Sequence, residues 1–135
     1  MTTAEPSDNP LLDALSIRRV SHGPGECTFE LDLEPRHLNR QGGLQGGVTA
    51  TLLDAACGYA GLESEGDDVV GNAVTVTLAI SYLARVSSGR LRATGTVERA
   101  GRSIYFSSGT LTSETGELIA TAQGAFKRTL QPSKA

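Results

Sequence analysis

The stretch Val48-Thr49-Ala50-Thr51-Leu52-Leu53-Asp54-Ala55-Ala56-Cys57-Gly58-Tyr59-Ala60-Gly61-Leu62 decides the fold. It is apolar nearly all round a helix, and a helix without a polar face is a buried one. Between Arg40 and Glu63 lie 22 residues, of which Asp54 alone is charged. The spacing predicts one long helix over 48–62 with a sheet wrapped around it. Gly58, Gly61 and the alanines permit the close approach that this wrapping needs.

The flanks supply the sheet. Residues 17–21 and 27–33 read as two strands about Gly23-Pro24-Gly25, with Cys27, Phe29, Leu31 and Leu33 on one face. Residues 34–47 form a loop with two Gly-Gly pairs, and residues 63–68 an acidic loop. Period-two alternation then runs through 74–82, 90–98, 103–110 and 118–127, broken at Ser87-Ser88-Gly89, Ala100-Gly101 and Glu114-Thr115-Gly116. These breaks read as hairpin turns and the four strands as a meander. One core-facing helix with an antiparallel sheet is an α+β architecture. Residues 1–9 and 129–135 are expected to be flexible ends of a single domain over 10–128, with one or two helical turns at Pro10–Leu15 behind Asp8 or Asn9 as cap.

Composition narrows the class. The chain has 135 residues, enough for one domain, with 12 Lys+Arg against 15 Asp+Glu and a net charge of −3. Such a balance argues against nucleic acid or an anionic membrane as partner. Glycine is abundant, at 16 residues, and aromatics are scarce, at 4%, so the core is expected to be Val, Leu, Ile and Ala with backbones in close approach. Cys27 and Cys57 are too few for a disulfide framework or a four-ligand zinc site and read as buried free thiols. With no membrane-length apolar run and no signal-peptide pattern in MTTAEPSDNP, the expected location is the cytoplasm.

Asp54 is the chemical focus. A buried, unpaired carboxylate costs several kcal/mol, so it is either functional, paired with a strand arginine, or set in a solvated notch. Gly42-Gly43-Leu44-Gln45-Gly46-Gly47 precedes the helix, and free N–H groups at a helix N-terminus stabilise anions. A carboxylate eight residues beyond Gly46 puts a base and oxyanion donors within one substrate's reach, in the same or different subunits. That pair suits acyl transfer or proton abstraction beside a carbonyl.

The run from His37 to Asp54 resembles the signature of hotdog-fold acyl-CoA thioesterases of the phenylacetyl-CoA thioesterase type: Asn39, then Gly46-Gly47, then an apolar helix carrying Asp54. Residues 74–83, Gly101-Arg102 and 116–120 also look like that family's strands and turns, so the likeness spans roughly 15–128. It implies a hotdog fold that hydrolyses an acyl- or aryl-acyl-CoA. Asp54 would be nucleophile or general base, the Gly46 N–H would polarise the thioester carbonyl, and Asn39 would orient substrate or water. No metal or organic cofactor is implied, since coenzyme A belongs to the substrate. The site would lie at a homodimer interface, with dimers pairing into a homotetramer. Two departures stand out. The family's His-Gly-Gly reads Gln45-Gly46-Gly47, and Gln hydrogen-bonds without titrating. Gly58 stands where some relatives carry a Ser or Thr that holds water, so Thr75 or Thr77 is the expected source of a hydroxyl. Gln45 and Gly47 complete the expected substrate contacts.

Among Arg85, Arg90, Arg92, Arg99 and Arg102, the last is the expected contact for a coenzyme A phosphate. His22 and His37 read as loop residues, and residues 63–68 as solvated charge rather than a cation site. Hydratase chemistry is disfavoured because no His follows residue 37. A non-catalytic acyl-CoA binding protein is the remaining alternative, suggested by Gln45.

Overall fold

A computed structural model describes residues 7–129. The chain opens with helix α1 (Pro10–Leu15) and the strands β1 (Arg18–Gly23) and β2 (Glu26–Asp32). A 3-10 turn at Pro35–His37 leads into helix α2 (Gly46–Ala60). The strands β3 (Glu63–Glu65), β4 (Asp68–Val70), β5 (Asn72–Tyr82), β6 (Arg90–Ala100), β7 (Ile104–Ser113) and β8 (Leu118–Thr129) follow. The main sheet has six antiparallel strands in the order β1-β2-β6-β7-β8-β5, wrapped around α2 as the sequence predicts.

Three expectations need correction. The four late strands are not one meander: β5 pairs with β8 at the far edge, so the segment through Ser87-Ser88-Gly89 crosses the sheet instead of closing a hairpin. The acidic 63–68 loop is part of a small hairpin, β3–β4, turning at Gly66 with φ 62°. Helix α2 begins two residues before Val48, because Gly46 and Gly47 are already helical. Of the expected flexible ends, 1–6 and 130–135 lie outside the described residues. Within them, the Asn9 side chain caps α1 by accepting from the Leu12 N–H, and Thr129 is the last residue of β8.

Alanine-rich α2 is buried on most sides: Val48, Thr49, Leu52, Leu53, Ala55, Ala56, Cys57 and Ala60 all lose their solvent. Its N-cap, Gln45, makes no side-chain capping bond, so packing rather than capping holds the helix. Gly61 permits the close approach as expected, since a Cβ there would lie 2.1 Å from the Tyr105 ring, and strand glycines add to it. A Cβ on Gly95 would lie 2.1 Å from the Ala56 carbonyl oxygen, so β6 touches the helix backbone to backbone. Gly109, paired with Gly95, faces the Cys57 thiol in the same layer. Both cysteines are buried and free, as expected, and burial pushes their thiols up to about 12. On β7 the core takes Tyr105, Ser107, Gly109 and Leu111, leaving Ile104 and Phe106 outside.

Bulges reset the strand phases. The register of β5 slips between Thr75 and Thr77, so Val76 is the extra residue. Ala73 and Thr75 face the helix before it, and Leu78 and Ile80 after it. Val74 and Val76 point outward, more than half exposed. On the outer face of β1, β2 and β6, Glu30 is 7% exposed and meets Arg92 at 2.6 Å, while Arg90 bonds Asp32 at 2.8 Å and holds the Asp32 carboxyl below its usual range.

Candidate active site

Asp54 sits mid-helix and half-buried, opening onto a cavity of about 210 Å3. The Thr75 hydroxyl donates to Asp54 Oδ1 at 2.7 Å. Among the described residues Asp54 enters no ion pair, so the strand-arginine alternative falls away and the solvated notch stands. The Val76 bulge selects which threonine arrives. Thr75 is registered with inward-facing Phe126, whereas Thr77 is registered with Ala125 and turns to the outer face. The structure therefore brings Thr75 to Asp54 and leaves Thr77 away from it.

Gly46 and Gly47 form the first turn of α2, and no acceptor among the described residues meets their N–H groups. These are the orphan donors of a helix start, at its positive dipole end. Gln45 N–H donates to the His37 carbonyl at 2.9 Å, fixing the loop to the helix. Asn39 shapes that loop: its Oδ1 accepts from the Gln41 N–H at 2.9 Å and the Gly43 N–H at 3.1 Å. Two backbone donors on one atom identify that atom as the oxygen, so Nδ2 is left as a donor without a partner among the described residues. The arrangement offers two kinds of hydrogen-bond donor to an oxyanion and, elsewhere, a carboxylate with a hydroxyl. Within one chain the two groups stand apart. Eight residues of helix separate Gly46 from Asp54 by about 12 Å at 1.5 Å per residue.

His37 is fully buried and structural. Its Nδ1 accepts from the Glu34 N–H at 2.9 Å, so Nε2 carries the proton donated to the Leu15 carbonyl at 2.8 Å. His22 lies on β1, not in a loop, and donates from Nε2 to the Leu62 carbonyl. Arg90 and Arg92 are committed to acids, while the side chains of Arg99 and Arg102 make no hydrogen bond or ion pair among the described residues. Arg102 lies in the β6–β7 turn at the C-terminal end of α2, away from Gly46 of its own chain.

Four residues contribute in ways the sequence did not reveal. Arg85 hydrogen-bonds the Gln41 carbonyl, and its Nε would lie 3.1 Å from a Cβ on Gly43, so it staples the glycine loop. The Tyr82 hydroxyl donates to the Gly46 carbonyl at 2.9 Å. Asn9 and Leu12 close the Asp54 cavity from above. Each of these contacts is long-range and depends on where the strands lie, so local pattern carries no signal for it. A larger cavity, about 420 Å3, lies at the C-terminal end of α2 between His22, Leu62 and Arg128, shares Leu62 with the first, and holds none of the expected site residues. Among the described residues no group of three His, Cys, Asp or Glu is placed to hold a metal, and no helix is long and apolar enough to cross a membrane.

A six-stranded antiparallel sheet wrapped around one buried helix is the hotdog fold. The Thioesterase superfamily model matches residues 41–120, and the chain belongs to that family. The human protein named acyl-coenzyme A thioesterase 13 is 36% identical over 106 residues, covering 77% of this chain and 74% of that protein. Zebrafish thioesterase superfamily member 2 superposes with a TM-score of 0.76 at 31% identity, covering 90% of this chain and 88% of that one. The BH2602 protein of Bacillus halodurans, solved with CoA, gives a TM-score of 0.80 at 27% identity over 92% of this chain and 81% of that one.

Proposed function

We propose that the protein hydrolyses acyl-CoA thioesters at a site shared by two copies of the chain. The observation that carries this reading is the Asp54–Thr75 pair on a cavity, set in a helix whose first N–H groups meet no acceptor among the described residues. The human relative's name and the CoA-bound Bacillus structure support the substrate class.

In this reading Thr75 occupies Asp54 Oδ1, and Oδ2 acts as general base on a water. The water oxygen attacks the thioester carbonyl while its proton passes to Asp54. The oxyanion is held by the Gly46 N–H and Asn39 Nδ2 of a second copy. Collapse breaks the C–S bond, and the coenzyme A thiolate takes the proton back from Asp54. Gln45 and Gly47 contact the substrate at the helix start, and Arg102 meets a phosphate of coenzyme A.

The about 12 Å gap between Gly46 and Asp54 in one chain supports a homodimer. So does the open edge of β5, an 11-residue strand. The outward Val74, Val76, Ile104 and Phe106 give a second apolar surface for pairing dimers into a tetramer.

The test is release of free coenzyme A thiol from a panel of aryl and fatty acyl-CoAs. Wild type is expected to release it and Asp54→Asn to lose it. No release above background by wild type, or equal activity in Asp54→Asn, overturns the reading.

A further inference from the structure

The cavity at Asp54 has a far wall that the hydrolysis itself does not require. The cavity is lined along α2 by Asp54, Gly58 and Tyr59 and, just past the end of the helix, by Leu62. Gly58 keeps the floor open, since a Cβ there would meet the Phe126 ring at 3.3 Å. Tyr59 forms the side of the far end, its ring braced edge-on by Phe29 with centroids 5.2 Å apart. The roof is α1, whose Leu12 is buried against the core.

One residue joins roof to wall. Asn9 Oδ1 accepts from the Leu12 N–H and so caps α1, while its Nδ2 donates to the Tyr59 hydroxyl at 3.1 Å. This bond spans 50 residues of sequence and ties the roof of the cavity to its wall. A six-residue helix has little stability of its own, so its position depends on such ties.

We propose that the Asn9–Tyr59 bond sets the upper size of the acyl group. This rests on the reading of the Asp54 cavity as the acyl pocket. Apolar cavities of about 150 Å3 enclose a benzene ring, and a methylene is close in size to a water molecule, whose share of liquid volume is about 30 Å3. The space behind Asp54, about 210 Å3, therefore takes one ring or a chain of about seven carbons. A longer chain has to lift α1 and break the bond.

The test measures binding of non-hydrolysable S-alkyl-CoA thioethers, from butyl to hexadecyl, to the full chain by calorimetry. Wild type, Tyr59→Phe and Asn9→Ser are compared. Phe keeps the ring, and Ser keeps the cap of α1 but is too short to reach Tyr59. Wild-type affinity is expected to stop rising near seven carbons. Both variants are expected to raise the hexadecyl-to-hexyl affinity ratio about fivefold, the value of one net hydrogen bond. Wild-type affinity that climbs steadily to hexadecyl, a ratio unchanged in both variants, or a wild type that binds none of the thioethers overturns the proposal. Thioester turnover is assayed in parallel. Length-limited binding without turnover sinks the hydrolase reading and leaves the size limit standing, whereas turnover with a flat length profile sinks the size limit alone.

Discussion

Replacing Thr75 by Val removes one hydroxyl from the site and little else. The two side chains have nearly the same shape, and Val suits a strand as well as Thr does. What is lost is the 2.7 Å bond to Asp54 Oδ1. Hydrogen bonds to a charged group contribute about 1.5–3 kcal/mol, and the lower figure applies here because Thr75 is solvent-exposed. At about 1.4 kcal/mol per decade, kcat for acyl-CoA hydrolysis should fall about tenfold. KM should stay nearly constant, since the bond orients the base and not the substrate. Thr75→Ser retains the donor and should recover most of the rate. The assay is thiol release under saturating substrate, with the melting temperature of each variant as control. A Val variant as fast as wild type, or a Ser variant as slow as Val, refutes the role given to this bond.

Other outcomes follow from the same geometry. Gly95→Ala drives a methyl carbon to 2.1 Å from the Ala56 carbonyl oxygen, so β6 must separate from α2. A loss of about 3 kcal/mol is expected, read as a fall of about 10 °C in the calorimetric melting temperature. Cys27 and Cys57, with thiols raised to about 12 by burial, hold almost no thiolate at pH 8. They should resist a thiol-specific disulfide reagent in the native state and react at once in denaturant. Asn39→Asp keeps the oxygen that accepts from Gln41 and Gly43 but loses the free N–H donor. Its far-UV spectrum and melting temperature should match wild type while kcat falls about 10²-fold.

The helix and its lone charge were legible because burial of α2 is a property of composition alone. The alternation of β2 and β6 was legible too, with Cys27, Phe29, Leu31, Leu91 and Ala93 all in the core. Pairing was not. Nothing local tells β5 to bond β8 instead of β6, because the crossover at Ser87-Ser88-Gly89 carries the same Ser and Gly as a hairpin turn. The site suffered from a similar blindness at finer scale. Thr75 and Thr77 are equivalent in an ideal strand, and the single extra residue at Val76 turns one to Asp54 and the other outward. Gly95 and Gly109 looked like ordinary members of an alternating strand. Only their register against α2 reveals that a side chain has no room there.

The central claim is that Asp54 and the Asn39–Gly46 donors act together only across two chains. Mixing settles it most directly. Asp54→Asn and Asn39→Asp proteins, each impaired alone, are unfolded together and refolded at equal concentration, and thiol release is measured. In a two-fold dimer each heterodimer pairs the intact Asp54 of one chain with the intact Asn39 of the other, so roughly a quarter of wild-type activity should return. A mixture no more active than the mean of its two components would contradict the shared site.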